Sequence, residues 1–581
     1  MKVSSESYVK LLKDYIGPHW PRAILLTCLL LGVIGLQIGN PQILRRFIDA
    51  VAAGSGLQSL TGIALLFLAV ALGAHLLTVA TVYTSEDIAW RATNGLRADL
   101  TLHCLRLDMA FHNAHTPGEL VERIDGDVGE LSRFFSRFVV VIVINVLLFA
   151  GVLLVLFLTD WRIGLVDTGL AVAMVVIMYG FRKPLTLRWE RARQASAAQT
   201  GFLEESLAST EDIRSRGAGA YMMRRFQHVS RESFHRATQA WLFFFFSAAV
   251  VWSVAEIGPD LGLAVGIRLF QLNTITLGTI YSIMYYTGMI AESVDQIASE
   301  VQNLQRANAS IARIKDLFRA RSSIREGRGV RLPPGALPVE FRSVSFEYVD
   351  GESVLKDISF RLEAGRVLGL LGRTGSGKST LARLLFRLYD PTAGTIRLDD
   401  VDIREMRLAE LRQQVGMVTQ EVQLFQASLR DNLTLFNRDI SDDRVLQALQ
   451  ELELWEWYQA LPAGLETRLG SGGAGLSAGE AQLLAFARVL LKAPGLIVLD
   501  EASSRLDPLT EQRLERAVER LLRNRTGVII AHRLATVQRA DEVMILEDGS
   551  ICERGPRAEL AHDPNSHYSQ LLQVGLEEML A

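Results

Sequence analysis

Residues Gly372-Arg-Thr-Gly-Ser-Gly-Lys378-Ser379 satisfy the spacing G-x-x-x-x-G-K-[ST] at every fixed position, and the chemistry of such a loop is phosphate binding. Gly372, Gly375 and Gly377 let backbone N–H groups converge on phosphate oxygens, with Arg373, Thr374 and Ser376 between them and Thr380 just beyond. Lys378 brings a positive charge, and Ser379 offers a hydroxyl to Mg²⁺. A strand at 367–371 and a helix starting at Ser379 supply the context this loop requires. A second stretch, Leu496-Ile-Val-Leu-Asp500-Glu501, sets two carboxylates after four apolar residues. A buried strand ending this way suits Asp500 to hold Mg²⁺ through water and Glu501 to polarise an attacking water. Adjacent strand residues point oppositely, so Glu501 must sit where the strand ends and the chain bends. The chemistry implied is hydrolysis of a nucleotide such as ATP.

These residues occupy the second half of a 581-residue chain, too long for one ordinary domain. Apolar residues make up 49% and the net charge is only -3, a balance that gives no reason to expect a nucleic-acid partner. The three cysteines, Cys28, Cys104 and Cys552, are scattered. Neither a disulfide framework nor a cysteine metal cluster is indicated. Apolar runs recur through the first 300 or so residues, at about 23–44, 60–84, 136–159, 163–182, 241–268 and 278–297. Each is near the roughly 20 residues with which an α-helix crosses a bilayer. The first is too long for a secretory signal, and further spans follow it.

Connections between spans alternate between short and about fifty residues. The long ones are rich in arginine, Arg188, Arg191 and Arg236 among them, and the positive-inside tendency places them in the cytoplasm. Helical apolar spacing in both, as in Leu100, Cys104 and Leu105 or Phe202, Leu203, Ser206 and Leu207, predicts extensions of the membrane helices that turn at their tips. One turn falls at 115–118, and a second precedes 217–219. Asp167 and Glu256 interrupt the fourth and fifth spans, where an ionised group costs about 2.5–3.5 kcal/mol at mid-bilayer. Such residues face a cavity or a partner, or snorkel: Asp167, near a span's outer end, fits an interfacial carboxylate as well as one facing a cavity, and the deeper Glu256 either lines a pathway or does not touch it. Tyr281, Met284, Tyr285 and Met289 share a helical spacing that suits packing between helices or an apolar ligand.

A Gly/Pro/Arg-rich linker at 319–338 divides an all-α, six-helix transmembrane domain at 1–318 from an α/β domain at 339–581. Beyond it, short β-branched runs at 366–371, 496–499 and 527–530 alternate with helical segments. That alternation is the pattern of a largely parallel sheet.

The α/β part resembles the nucleotide-binding domain of ATP-binding cassette (ABC) transporters. Leu476-Ser-Ala-Gly-Glu480 looks like the family's signature, and Gln420 resembles its Q-loop glutamine. Ser504-Arg-Leu-Asp507 resembles the D-loop, His532 the switch histidine, and Tyr348 the aromatic residue that stacks on adenine. The resemblance implies that ATP is bound by residues 372–380, Tyr348 and Gln420, with Mg²⁺ at Ser379, Gln420 and Asp500. It implies Glu501 and His532 as catalytic. Ser477 and Gly479 open a helix whose N-terminus attracts an anion, and in this family it faces the γ-phosphate held by a second ATPase domain. One chain has one such domain, so a second half-transporter chain is required. The segments Thr116-Pro-Gly-Glu-Leu, Phe202-Leu-Glu-Glu-Ser-Leu and Thr276-Leu-Gly-Thr extend the resemblance to the six-helix exporter type. Export of a lipophilic compound, lipid or peptide across a bacterial inner membrane follows as the expectation, with the ATPase domain cytoplasmic.

Several positions depart from the family pattern. Ala478 and Glu480 replace Gly and Gln of the signature, Arg505 replaces a small D-loop residue, and Ser471 stands where exporters commonly carry Glu. An altered signature beside an intact Lys378, Asp500, Glu501 and His532 favours one half of a heterodimer over a homodimer. An exporter-fold importer and a mainly regulatory ATP-binding subunit are the alternatives. Nothing in the residues names the transported substrate.

Overall fold

The structure, a computed structural model, describes residues 12–330, 332–348, 351–419, 422–470, 476–500, 508–531 and 537–574. The chain forms two compact units, one from residues 1–105 and 117–320, the other from 106–116 and 321–581.

Six long helices build the first unit: α1 (Trp20–Ala52), α2 (Leu57–Arg106), α3 (Val139–Thr159), α4 (Trp161–Ala208), α5 (Gly219–Gln271) and α6 (Leu277–Arg319). With 48 and 53 residues, α4 and α5 run about 70–80 Å at 1.5 Å per residue, more than twice a ~30 Å hydrocarbon core. They pack along one another. Phe181 meets Phe243 and Phe246 edge-on at 5.8 and 6.0 Å, and Trp189 meets Trp241 at 5.2 Å. The expected cytoplasmic extensions are therefore continuous with the spans, and Gly217, with φ 62°, ends the turn between them.

Among the described residues five helical stretches are long and apolar enough to cross a membrane, those ending at Ala52, Arg106, Thr159, Ala208 and Gln271. The sixth expected span, 278–297, lies in α6, which falls short on apolarity. Its inward face carries Thr279, Ser282, Thr287 and Ser293, all buried. Ser282 and Thr287 bond back to the carbonyls of Gly278 and Ile283, so these hydroxyls are satisfied without a partner helix. Helix α6 is held at its start by α1. Asp49 accepts from Gly278 N at 2.9 Å and from Thr276 Oγ1 at 2.8 Å, and a Cβ on Gly278 would stand 2.3 Å from Arg45 O. Tyr286 donates to Ile38 O at 2.6 Å and accepts from Gln42.

Glycines 258, 262 and 266 on α5 let α4 and α6 approach closely. A Cβ at Gly258 would meet Leu170 at 2.2 Å and Thr287 at 3.1 Å, the small-residue packing expected where no aqueous hydrophobic force drives helices together. Asp167 is sealed in this region. It is 1% exposed, and the Thr287 hydroxyl of α6 lies beside it while donating to Ile283 O. The snorkelling reading of Asp167 is thus wrong: burial is set by the helices around it, not by depth along its own. Glu256 is exposed on α5.

The second unit holds two sheets. β1 (Val339–Glu347), β2 (Ser353–Leu362), β4 (Ala393–Leu398) and β5 (Val401–Asp402) form an antiparallel sheet ordered β2-β1-β4-β5. β3 (Val367–Gly372), β6 (Val415–Val418), β7 (Leu496–Asp500), β8 (Thr526–Ile530), β9 (Glu542–Glu547) and β10 (Ser550–Pro556) form the other, ordered β10-β9-β3-β8-β7-β6 and parallel except at β10. β3 is buried along its whole length, as a parallel strand covered on both faces must be.

Residues 106–116 belong to this second unit although the chain on either side belongs to the first. Asp108 caps the short helix Met109–Ala114, accepting from Phe111 N at 3.0 Å, and also accepts from the hydroxyls of Ser323 at 2.7 Å and Ser322 at 3.2 Å. Burial pushes the Asp108 carboxyl up, but these hydrogen bonds together hold it below its usual range. Asn113 donates to the Tyr389 hydroxyl at 2.6 Å.

Candidate ATP site

The loop after β3 turns through three positive φ angles, 146° at Gly372, 87° at Gly375 and 100° at Gly377. A Cβ at Gly372 would lie 2.3 Å from Leu546 O, and one at Gly377 would lie 2.6 Å from Leu355 Cδ2. Only glycine meets both the angle and the space. The loop then enters α7 (Lys378–Leu385). Lys378 is 5% exposed, and its ammonium donates to Gly372 O at 2.6 Å and Arg373 O at 2.8 Å. Burial pushes its pKa down, with the Asp500 carboxylate acting the other way. The Ser376 hydroxyl is buried with no hydrogen-bond partner. A glycine cradle, a buried cation and an orphaned hydroxyl together fit a phosphate group, which would satisfy all three. Arg373, Thr374 and Gly375 are exposed at the rim, Ser379 is half-buried and Thr380 is buried.

Tyr348 stands beside this loop. Its hydroxyl lies 3.1 Å from Thr380 Oγ1 and accepts from Arg383 at 3.0 Å. Phe346 and Tyr389 hold its ring edge-on at 4.8 and 5.2 Å, leaving the side chain 39% exposed. A fixed, half-open aromatic ring is a stacking surface for a base. Arg383 and Tyr389 were not legible as members of the site, since both act through Tyr348 rather than through a motif.

Asp500 ends β7, opposite Ile530 of β8, and its charge reaches Lys378 and Arg383. Gln420, Glu501 and His532 lie outside the described residues. In the chain they follow the carboxyl ends of β6, β7 and β8, adjacent strands of one parallel sheet that also contains β3. Ligands of open α/β sheets bind at that edge.

Ser477 caps α8 (Ala478–Lys492). Its hydroxyl accepts from Glu480 N at 3.2 Å while its own N–H donates to Glu480 Oε2 at 2.8 Å, a reciprocal capping box. Gly479 is buried and Ala478 exposed. The carboxylate at 480 therefore turns back onto the helix end. There it takes up one N–H group and lays a negative charge where an anionic ligand would approach. Further along α8, Arg488 donates to Gln423 O at 2.8 Å and to Asn432 O at 2.7 Å, tying the stretch after position 420 to the signature helix.

Residues 355–504 match the ABC transporter family, and residues 23–294 match the ABC transporter transmembrane region. YknV of Bacillus subtilis strain 168, an uncharacterized ABC transporter ATP-binding protein, is 30% identical over 476 residues, which cover 80% of this chain and 77% of that protein. This chain belongs to the ABC transporters. An ATP-dependent lipid A-core flippase of Alkalilimnicola ehrlichii is 30% identical over 582 residues, covering 96% and 95% of the two chains. The structure of a bacterial Atm1-family ABC exporter with ATP bound superposes with a TM-score of 0.77 over 95% of this ABC transporter and 98% of that chain. At 22% identity that likeness shows the exporter fold alone. The transporter is thus a multi-pass membrane protein with a fused ATP-binding, ATP-hydrolysing domain, of a fold that typically works as a dimer.

Proposed function

We propose that this ABC transporter is one half of a dimer that exports a lipophilic compound, a lipid or a peptide by alternating access, from a bacterial inner membrane with its ATPase unit in the cytoplasm. The observation that carries the reading is the glycine cradle with its orphaned Ser376 hydroxyl and buried Lys378, on the sheet edge that Asp500 shares. Residues 372–380 hold the phosphates of ATP, and adenine stacks on Tyr348. Ser379, Asp500 and Gln420 would hold Mg²⁺, which would neutralise charge on the phosphates. Lys378 and the loop N–H groups meet the charge that develops on the transferred phosphoryl group. Glu501 orients the attacking water and takes its proton, and His532 holds the γ-phosphate. Ser477 and Gly479 serve the nucleotide bound by the other chain.

Two features support the finer points. The Glu480 carboxylate at the end of α8 makes this chain's signature a poor receptor for γ-phosphate, which favours an unequal pair over two identical copies. The similarity to lipid A-core flippases of several bacteria favours a lipid or lipid-like cargo. Inside-out vesicles carrying the transporter and its partner test the direction. ATP moves a fluorescent lipid analogue into the lumenal leaflet, and Lys378→Ala stops it. ATP-driven movement out of the lumen would contradict export.

A further inference from the structure

A cavity of about 610 Å³ opens between α4 and α5 at the point where both helices leave their apolar stretches. Arg188 and Arg191 of α4 and Arg236, Gln239, Phe243 and Phe246 of α5 line it. Its chemistry is graded along the helices. Phe243 and Phe246 lie inside the apolar run that begins at 241, and both touch Phe181 at the end of the run on α4. Arg191 and Arg236 lie beyond those runs, on the side away from the spans. Arg188 sits at the transition, its guanidinium 3.9 Å from the centre of the Phe243 ring and hydrogen-bonded to Pro184 O at 3.1 Å. Glu232 pairs with Arg236 at 2.7 Å. Among the described residues no ion pair engages Arg188 or Arg191.

We propose that this cavity binds a lipid whose headgroup carries phosphate, with the phosphate on Arg188 and Arg191 and the start of an acyl chain against Phe243 and Phe246. Two guanidiniums without carboxylate partners, that of Arg188 seated over the Phe243 ring, match an anionic amphiphile and no simpler ligand. A free phosphate would leave the phenylalanines unused, and an uncharged lipid would leave the arginines unpaired. The height also fits: basic pockets between membrane helices on the cytoplasmic side are where anionic headgroups dock, and arginine's planar fork matches phosphate oxygens. The inference depends on the membrane orientation proposed above, not on the unequal pair.

The test measures binding of phosphatidylglycerol, phosphatidylcholine and inorganic phosphate to the full-length transporter in detergent by native mass spectrometry. Phosphatidylglycerol binds more tightly than phosphatidylcholine. Arg188→Ala with Arg191→Ala weakens it about thirtyfold, each arginine near a membrane surface contributing roughly fivefold. Arg188→Lys with Arg191→Lys keeps the charge but loses the planar fork, and weakens binding by less than the double alanine variant does. Gln239→Trp, which fills the cavity and removes no charge, also abolishes it. Equal binding of the two lipids, or an unchanged affinity in the double alanine variant, overturns the proposal. So does competition by inorganic phosphate at the same concentration as lipid, which would make the site a bare anion patch. Cross-linking of the Arg191→Cys variant to a second copy in delipidated protein would overturn it as well, by assigning the cavity to a protein contact.

Discussion

Glu501→Gln lowers ATP turnover by about 10²–10⁴-fold, the range a positioned general base supplies, and leaves ATP affinity within about threefold of wild type. The amide keeps the size and the hydrogen-bonding reach of the carboxylate but cannot take a proton from water. Binding survives because it rests on other groups: the cradle at 372–378, the buried Lys378 ammonium and the Tyr348 ring. Strand β7, which precedes this position in the chain, has residues 496–499 buried and paired with β6 and β8, and the substitution leaves that strand untouched. With ATP bound and not hydrolysed, the dimer stays closed. Paired measurements of nucleotide binding and phosphate release check this, and a variant that turns over at the wild-type rate removes Glu501 from the mechanism.

The second large effect concerns the signature. Ala478→Gly together with Glu480→Gln raises the ATPase rate of the purified chain by at least about tenfold, less than the 10²–10³ that one preorganised donor to a reacting oxyanion supplies. Glu480 occupies the Ser477 N–H and places its charge at the N-terminus of α8, favouring the helix while repelling phosphate. Glutamine at 480 can still cap, as Ser-x-x-Gln does, but carries no charge. Glycine at 478 removes a methyl from an exposed position where a phosphate-facing backbone needs room. Stability should change little, since the capping geometry is kept; activity should change strongly. An unchanged rate would mean that the signature is not what limits this chain.

The elements that rest on contiguous residues were legible. The phosphate loop, the strand before it and the apolar-then-acidic run at 496–501 each declare themselves within a dozen residues, because backbone angle and burial there are local requirements. The two long hairpins were legible for a related reason: helical apolar spacing continued past the spans at 100–105 and 202–207. Charge alone left the direction of the Glu480 carboxylate open, and the capping box that turns it back is a finding of the structure. What could not be read depends on contacts between distant positions. Asn113 and Tyr389 are 276 residues apart, and Asp108 and Ser322 are 214 apart, so assignment of 106–116 to the ATPase unit has no local sign. Asp167 of α4 is buried beside Thr287 of α6, and neither its own neighbours nor its depth announces that.

The unequal pair proposed above sets the catalytic side of this chain, with Glu501, against the signature of an unlike partner. The most direct measurement is the ATPase rate of the wild-type chain alone and after co-assembly with a copy carrying Ala478→Gly, Glu480→Gln and Glu501→Gln. That copy offers a repaired signature and no catalytic base. Each species alone is slow, the first for want of a signature and the second for want of Glu501. Mixed pairs place wild-type Glu501 against a repaired signature and turn over at least about tenfold faster than either alone. A wild-type chain that by itself hydrolyses ATP as fast as the mixture would contradict the unequal pair.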